Sequence, residues 1–294
     1  MDSLSHAFAV SLLLPSSADS VYLFAAVLGA ILPDIDILFQ PMTDNHPSLF
    51  ILTHGGFTHS IAGAAVVAGL AWSGIVLGVI IGAFPFWDEF PLVLLLILFA
   101  GACSHLVLDS LASPGIPLFY PLSLKKFTLG IFPGPSIVLL LASIVYAGVL
   151  AKGAGSEALA RGYAVFFIGV LLLSAGIWFY TKIHVRGVLI PTFHPLKWLV
   201  IRDENTRYIL ESYHLLQGKT KKGTYDKCKG MDAGDLQGIE DIPEVKRLLY
   251  YSYIVTAERT EAGILFQDPL RKEKILFYPP YYTEVLVPDS PAKE

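Results

Sequence analysis

The first 124 residues contain neither lysine nor arginine, and long apolar runs occupy 21–39, 59–84 and 91–109. A further run lies at 163–183. Crossing about 30 Å of hydrocarbon takes roughly 20 helical residues, so each of the four is long enough to do it. A fifth run, 131–151, carries Pro133 and Pro135 near its start, where proline is tolerated because the first helical N–H groups lack partners. Residues 3–14 are too few to cross at about 1.5 Å each. They read as a half-length helix folded back against the next one through a turn at 15–20. One such run alone would read as a buried core helix, but five with so few charges between them point to a membrane. The composition agrees: 54% of the chain is hydrophobic and 16% charged, where a soluble domain carries roughly 25% charged residues.

The charges of residues 1–124 are all acidic: Asp2, Asp19, Asp34, Asp36, Asp44, Asp88, Glu89 and Asp109. All 21 basic residues lie from Lys125 onward. Phosphate backbones demand clustered Lys and Arg, so this half is not a nucleic-acid-binding surface. Cys103 and Cys228 give neither a disulfide framework nor zinc-finger spacing. The N-terminus lacks the positively charged region of a secretory signal, so its apolar stretch reads as retained structure.

Near residue 184 the pattern changes. Residues 184–294 hold 16 basic and 16 acidic residues. Apolar positions begin to alternate in 197–203, 206–216, 248–258, 263–267, 274–278 and 283–287, with turn residues between them. That is the grammar of antiparallel strands. Residues 217–243 show no periodicity and read as a long loop. The sequence therefore predicts an α-helical membrane domain, 1–183, with about five spanning helices plus a short N-terminal half-helix. A small antiparallel β domain, 184–294, follows it and is a candidate surface for a protein partner.

A charged group in a membrane segment costs about 2.5–3.5 kcal/mol at mid-bilayer, so each one needs a reason. The unusual residues fall in four strings: Ser5-His6, Pro33-Asp34-Ile35-Asp36, Thr53-His54-Gly55-Gly56-Phe57-Thr58-His59-Ser60, and Ser104-His105-Leu106-Val107-Leu108-Asp109. Asp34 and Asp36 end the first span, His59 opens the second, and His105 and Asp109 close the third. Antiparallel neighbours put the end of one helix beside the start of the next, so these strings meet at one membrane face. The fold-back of residues 3–14 brings His6 to the same face. His105 and Asp109, four apart, share one side of a helix about 6 Å apart. Imidazole with carboxylate favours a divalent transition metal, zinc before manganese or iron, in one or two copies. Such an ion also explains how acids with no nearby Lys or Arg are tolerated. His6, Asp36, His59, His105 and Asp109 are the candidate ligands. Asp34 is a further ligand or general base, and His54 an acid–base group or a support for the ligands. Ser60 and Ser104 are candidates to hydrogen-bond supporting carboxylates, and His46 is given no role.

These strings in this order, followed by Gly115-Ile116 and Tyr120-Pro121, resemble the YdjM family of inner-membrane-associated metal-dependent hydrolases. The resemblance covers the membrane half closely and continues through Pro191, Trp198, Asp268 and Arg271. One position departs: the family has Arg after the first His of its His-Arg-Gly…Thr-His-Ser string, and this chain has Gly55. If that Arg contacts an anionic substrate, this chain must bind the substrate otherwise. The ligand order is also similar to part of that in zinc phospholipases C and the related single-strand nucleases, which implies phosphoester hydrolysis. Their second His-x-x-x-Glu ligand pair has no counterpart here.

The expected function is metal-dependent hydrolysis, through activated water, of a phosphoester on a membrane lipid or lipid-linked substrate. The alternatives are a membrane-anchored binding or regulatory protein with a structural metal and, less favoured, an ion or proton transporter. Few polar groups lie mid-helix to build a transport path, Ser73 and Ser143 being the candidates. Lys125, Lys126, Lys182 and Arg186 flank the metal side against Lys152 and Arg161 opposite, which by the positive-inside rule makes the metal site and the β domain cytoplasmic.

Overall fold

Asp2 starts the first helix. Its carboxylate accepts the Ser5 N–H at 2.9 Å, and α1 (Ser3–Ser11) stops after nine residues, about 14 Å. Asp19 caps α2 (Ser20–Ile31) in the same way, accepting the Val21 N–H at 2.8 Å. At Pro33 the chain tightens into a 3-10 helix, Leu32–Phe39, before α3 (Gln40–Asn45). Four longer helices follow: α4 (Ile61–Ile80), α5 (Leu92–Ser110), α6 (Ile137–Ala151) and α7 (Glu157–His184). The computed structural model describes residues 1–15, 17–83, 92–276 and 282–289. Phe84 and Pro91, the ends of two predicted runs, lie outside them.

Among the described residues, four helical stretches are long and apolar enough to cross a membrane: Ser20–Asn45, Ile61–Ile80, Leu92–Ser110 and Glu157–His184. The expected fifth is shorter than its run. Residues 131–136, with both prolines, precede α6, and the Ser136 hydroxyl caps it by accepting the Leu139 N–H at 3.4 Å. Its 15 residues reach about 22 Å.

The chain divides into two compact units, Met1–Met42 with Ile51–Trp178, and Thr43–Phe50 with Phe179–Glu294. In the first, small residues set the tightest helix contact. A Cβ built on Gly29 of α2 would stand 2.1 Å from Leu98 O, and one on Gly101 of α5 2.3 Å from Ala26 O. Ala25, Ala26, Ala30 and Ala102 are buried alongside. Small side chains let two backbones approach this closely.

In the second unit, β1 (Val188–Pro191), β2 (Lys197–Asp203), β3 (Arg207–His214) and β4 (Gly218–Asp226) pair in sequence order as an antiparallel sheet. A second sheet joins β5 (Cys228–Lys229), β6 (Thr256–Thr260), β7 (Gly263–Gln267) and β8 (Glu284–Val287); only β5 and β6 are parallel. Two predicted segments differ. The expected loop 217–243 holds β4, an edge strand whose Lys219, Lys221 and Lys222 are exposed. Lysines on an edge discourage pairing with other chains and erase the apolar alternation that marks a strand. The expected strand 248–258 begins inside α8 (Pro243–Tyr251), where Val245, Leu248 and Tyr251 are buried at helical spacing. Lys274–Leu276 forms no strand, and Phe277 and Tyr278 lie outside the described residues. A short helix, α9 (Pro269–Lys272), starts at Asp268, whose Oδ1 accepts the Leu270 and Arg271 N–H groups. Cys103 and Cys228 are both free.

Candidate metal centre

Four pieces of the first unit meet around three buried imidazoles. The 3-10 helix Leu32–Phe39 carries Asp34 and Asp36, a one-turn segment Phe57–His59 carries His59, α5 carries His105 and Asp109, and α1 carries His6. His6, His59 and His105 are 0% exposed. The Asp34, Asp109 and His54 side chains retain 17%, 12% and 27% exposure, so the cluster reaches the surface on one side.

His59 Nε2 and His105 Nε2 are 3.2 Å apart. Asp34 Oδ1 lies 3.5 Å from each nitrogen. Asp109 Oδ2 lies 3.5 Å from His59 Nε2 and 3.4 Å from His105 Nε2. Hydrogen bonds from N–H to oxygen fall at about 2.7–3.2 Å, shorter than these four nitrogen–oxygen separations. Atoms set tetrahedrally at about 2.0–2.2 Å from a zinc-like ion stand about 3.3–3.6 Å from one another. The four nitrogen–oxygen separations follow the second spacing, and the 3.2 Å between the two nitrogens falls just short of it.

The neighbours aim these atoms inward. His105 Nδ1 donates to Ala30 O at 2.7 Å. A carbonyl only accepts, so the proton sits on Nδ1 and Nε2 presents a lone pair to the cluster. His59 Nδ1 lies 3.0 Å from Asp36 Oδ2, which turns its Nε2 the same way. The Ser3 hydroxyl donates to Asp34 Oδ2, so Oδ1 faces the imidazoles. Asp109 uses both oxygens: Oδ1 is 3.1 Å from His6 Nε2 and also meets the Met1 amino group. The His6 ring stacks on His105 at 3.7 Å, and its Nδ1 is buried with no hydrogen-bond partner.

Among the described residues, three groups of side chains could hold a metal ion: His6, His105 and Asp109; Asp34, His59 and His105; and Asp36, His54 and His59. The third differs from the others in chemistry, because neutral donors already occupy one Asp36 oxygen and His54 meets the other. Oδ1 meets His54 Nδ1 at 2.8 Å, while Oδ2 accepts the Thr58 hydroxyl at 2.6 Å and the Gly55 N–H at 3.1 Å. Asp36 thus sits behind His59, and Asp34 sits beside it on the side facing His105. Gly55 donates from a left-handed conformation, φ +77°. Side chains other than Gly rarely adopt it, so this turn favours glycine at the position.

Charge sets the proton affinities. For His59, burial lowers the pKa, but hydrogen bonds to Asp34 and Asp36 and the charges of Asp36 and Asp109 outweigh it and raise the value to about 10. His6 goes the other way: burial and the His105 charge lower it to about 3, leaving a neutral ring.

The structure brings His6, Asp34, Asp36, His54, His59, His105 and Asp109 into one contiguous network. It also adds Ser3, Thr58 and the Ala30 carbonyl, to which the sequence assigned no role. Thr58 was visible in its Thr-His-Ser string; a backbone carbonyl leaves no signal. Among the described residues, Ser60 and Ser104 hydrogen-bond no carboxylate. Ser60 accepts the Gly63 N–H to cap α4, and Ser104 donates to Gly101 O in its own helix.

Residues 1–183 match the family model described as YdjM inner membrane protein. The chain belongs to that family. The YdjM match covers all seven residues of the cluster and ends at residue 183, within α7, so Pro191, Trp198, Asp268 and Arg271 lie beyond it. No curated protein and no solved structure matches the chain. Membership and the apolar helices support a membrane location.

Proposed function

We propose that this YdjM protein is a multi-pass membrane hydrolase in which Asp34, His59, His105 and Asp109 hold a divalent transition metal, zinc by preference. The observation that carries the reading is the set of five 3.2–3.5 Å separations among their inward atoms. His6 and the other oxygen of Asp109 offer a second position. A bound ion supplies Lewis acidity and lowers the pKa of water to about 7. The chain supplies the rest. His105 is fixed in one tautomer by Ala30, and Asp36 holds both His59 and His54. Asp36 fixes His54 through Nδ1, and the partial exposure of the ring suits an acid–base role at the open side of the site.

The substrate class follows from location and charge demand: a phosphoester on a lipid or lipid-linked molecule. Large exposed apolar side chains such as Leu70, Leu77 and Leu172 support helices facing hydrocarbon. The excess of Lys125, Lys126, Lys182 and Arg186 over Lys152 and Arg161 supports a cytoplasmic metal site.

One observation favours a second reading. Four protein donors around one ion would close its coordination, as in structural zinc sites, whereas catalytic sites keep a position open. Against it stands the partial exposure of Asp34, Asp109 and His54. The test has two parts. Purified protein carries at least about one transition metal per chain, and His105→Ala strips it; full occupancy in that variant removes the ligand assignment. Chelator-sensitive hydrolysis of phospholipids or phosphorylated isoprenoids then establishes the enzyme. Metal retained without turnover on any phosphoester leaves the structural reading ahead.

A further inference from the structure

The short length of α1 leaves space behind it. Beyond its last turn, a cavity of about 470 Å³ opens within the first unit. Phe8, Leu12, Val27, Tyr146, Leu150 and Ala164 contribute apolar walls from α1, α2, α6 and α7. Phe8 packs edge-on against Tyr146 at 4.9 Å, giving an aromatic corner that Tyr163 backs by stacking on Tyr146 at 4.5 Å. The lining also includes Glu157 and Arg161 at the start of α7, an exposed i,i+4 pair 3.5 Å apart.

We propose that this slot binds one acyl chain of a zwitterionic aminophospholipid, with the phosphate at Arg161 and the ammonium at Glu157. Three observations lead there. The walls are apolar and come partly from α7 and the stretch that begins with α2, both long enough to cross a bilayer, beside α1, which is less than half as long. An apolar gap at that depth forfeits its packing contacts unless hydrocarbon fills it. The polar part of the lining carries one cation and one anion side by side, the complement of a phosphate–ammonium head group and a poor match for a purely anionic one. The size lies within the range of small-molecule and lipid pockets. The inference rests on the bilayer placement proposed above and is independent of the metal: α1 presents His6 to the cluster and Ala7, Phe8, Ser11 and Leu12 to the slot.

The experiment uses the full chain in native membranes with a phosphatidylethanolamine that carries a photoreactive diazirine on one acyl chain. Labelled peptides are mapped by mass spectrometry. Adducts concentrate at residues 7–12, 23–27, 146–150 and 160–164, and Ala164→Trp, which fills the slot, lowers them about tenfold. Ala160→Trp repeats the test from a second position, and retained metal content in either variant reports an intact first unit. Arg161→Gln weakens labelling by the aminophospholipid, and a phosphatidylglycerol probe labels less than the phosphatidylethanolamine. Adducts spread evenly over exposed positions such as Leu70 and Leu77, unchanged by both tryptophans, overturn the slot. Equal labelling by the two probes overturns the head-group pairing. Release of the chain from membranes by carbonate overturns the bilayer placement itself, and leaves the hydrolase assay to judge the metal site separately.

Discussion

Asp268 and Asp36 are both almost completely buried, at 0% and 1% exposure, in different units of the chain. Asp268 meets the Arg271 guanidinium at 2.9 Å, and Arg271 is tied in turn to Ser252 and the Tyr251 carbonyl. Asp36 meets His54 and His59, and Asp34 and Asp109 beside it also face imidazoles. Among the described residues, the one other cation paired with these three acids is the Met1 amino group, on Asp109. An arginine is a permanent charge that completes its pair. An imidazole balances a carboxylate only while protonated, and otherwise it is a ligand waiting for a cation. Asp268 in the second unit is balanced within the chain, and the acids of the first unit are left open to an ion.

That contrast can be broken most forcefully at Arg271. Arg271→Ala leaves Asp268 buried and unpaired, a loss of about 3–5 kcal/mol, read as faster hydrogen exchange in β7 and α9. Chelator should not reproduce it. If chelation loosened these elements as much as the substitution does, the two units would not differ in the way described.

The next effect is smaller and lies in the first unit. Asp36→Asn keeps the shape but weakens the hold on His59, and lowers metal affinity about 10–100-fold, as loss of a supporting partner does. Competition against a calibrated chelator measures it. Unchanged affinity would take Asp36 out of the network that aims His59.

Acid sharpens the contrast further. The pKa of His59 stands at about 10, above its ordinary 6.5, so a metal must displace a proton to bind. Affinity therefore rises with pH, up to about tenfold per unit, as long as the ring remains protonated without the ion. For the metal-free fold the sign is opposite. The protonated ring stabilises it fully below 6.5 and loses that contribution as pH rises through about 10. Calorimetry in buffers of different ionisation heat counts the proton released; none released rules out His59 as a protonated ligand.

Least disruptive is Gly55→Ala. Open space surrounds the position, so its cost is the left-handed backbone alone, about 1 kcal/mol. A small loss of thermal stability with metal affinity within a few-fold of the parent checks it.

Much of this arrangement was legible in the chain. The apolar runs located α4, α5 and α7, and the polar strings named the seven side chains of the cluster. Which carboxylate does what was not legible. Asp34 and Asp36 lie two apart on a 3-10 helix, where three residues make a turn. They therefore point in different directions, one beside His59 and one behind it, and spacing alone does not say which. In the second unit, the lysines of β4 hid an edge strand. The buried stripe of α8 ran into the alternation of β6 and read as one strand.

Gly29 and Gly101 carry no reactive group, yet they govern the register between the helix that offers the Ala30 carbonyl and the helix that bears His105 and Asp109. A methyl group added at either would act as a wedge, prising the two backbones apart and detuning every angle in the constellation. A tight tolerance of the site therefore belongs to two hydrogen atoms outside the chemistry, and a mutational search confined to the polar residues would overlook it.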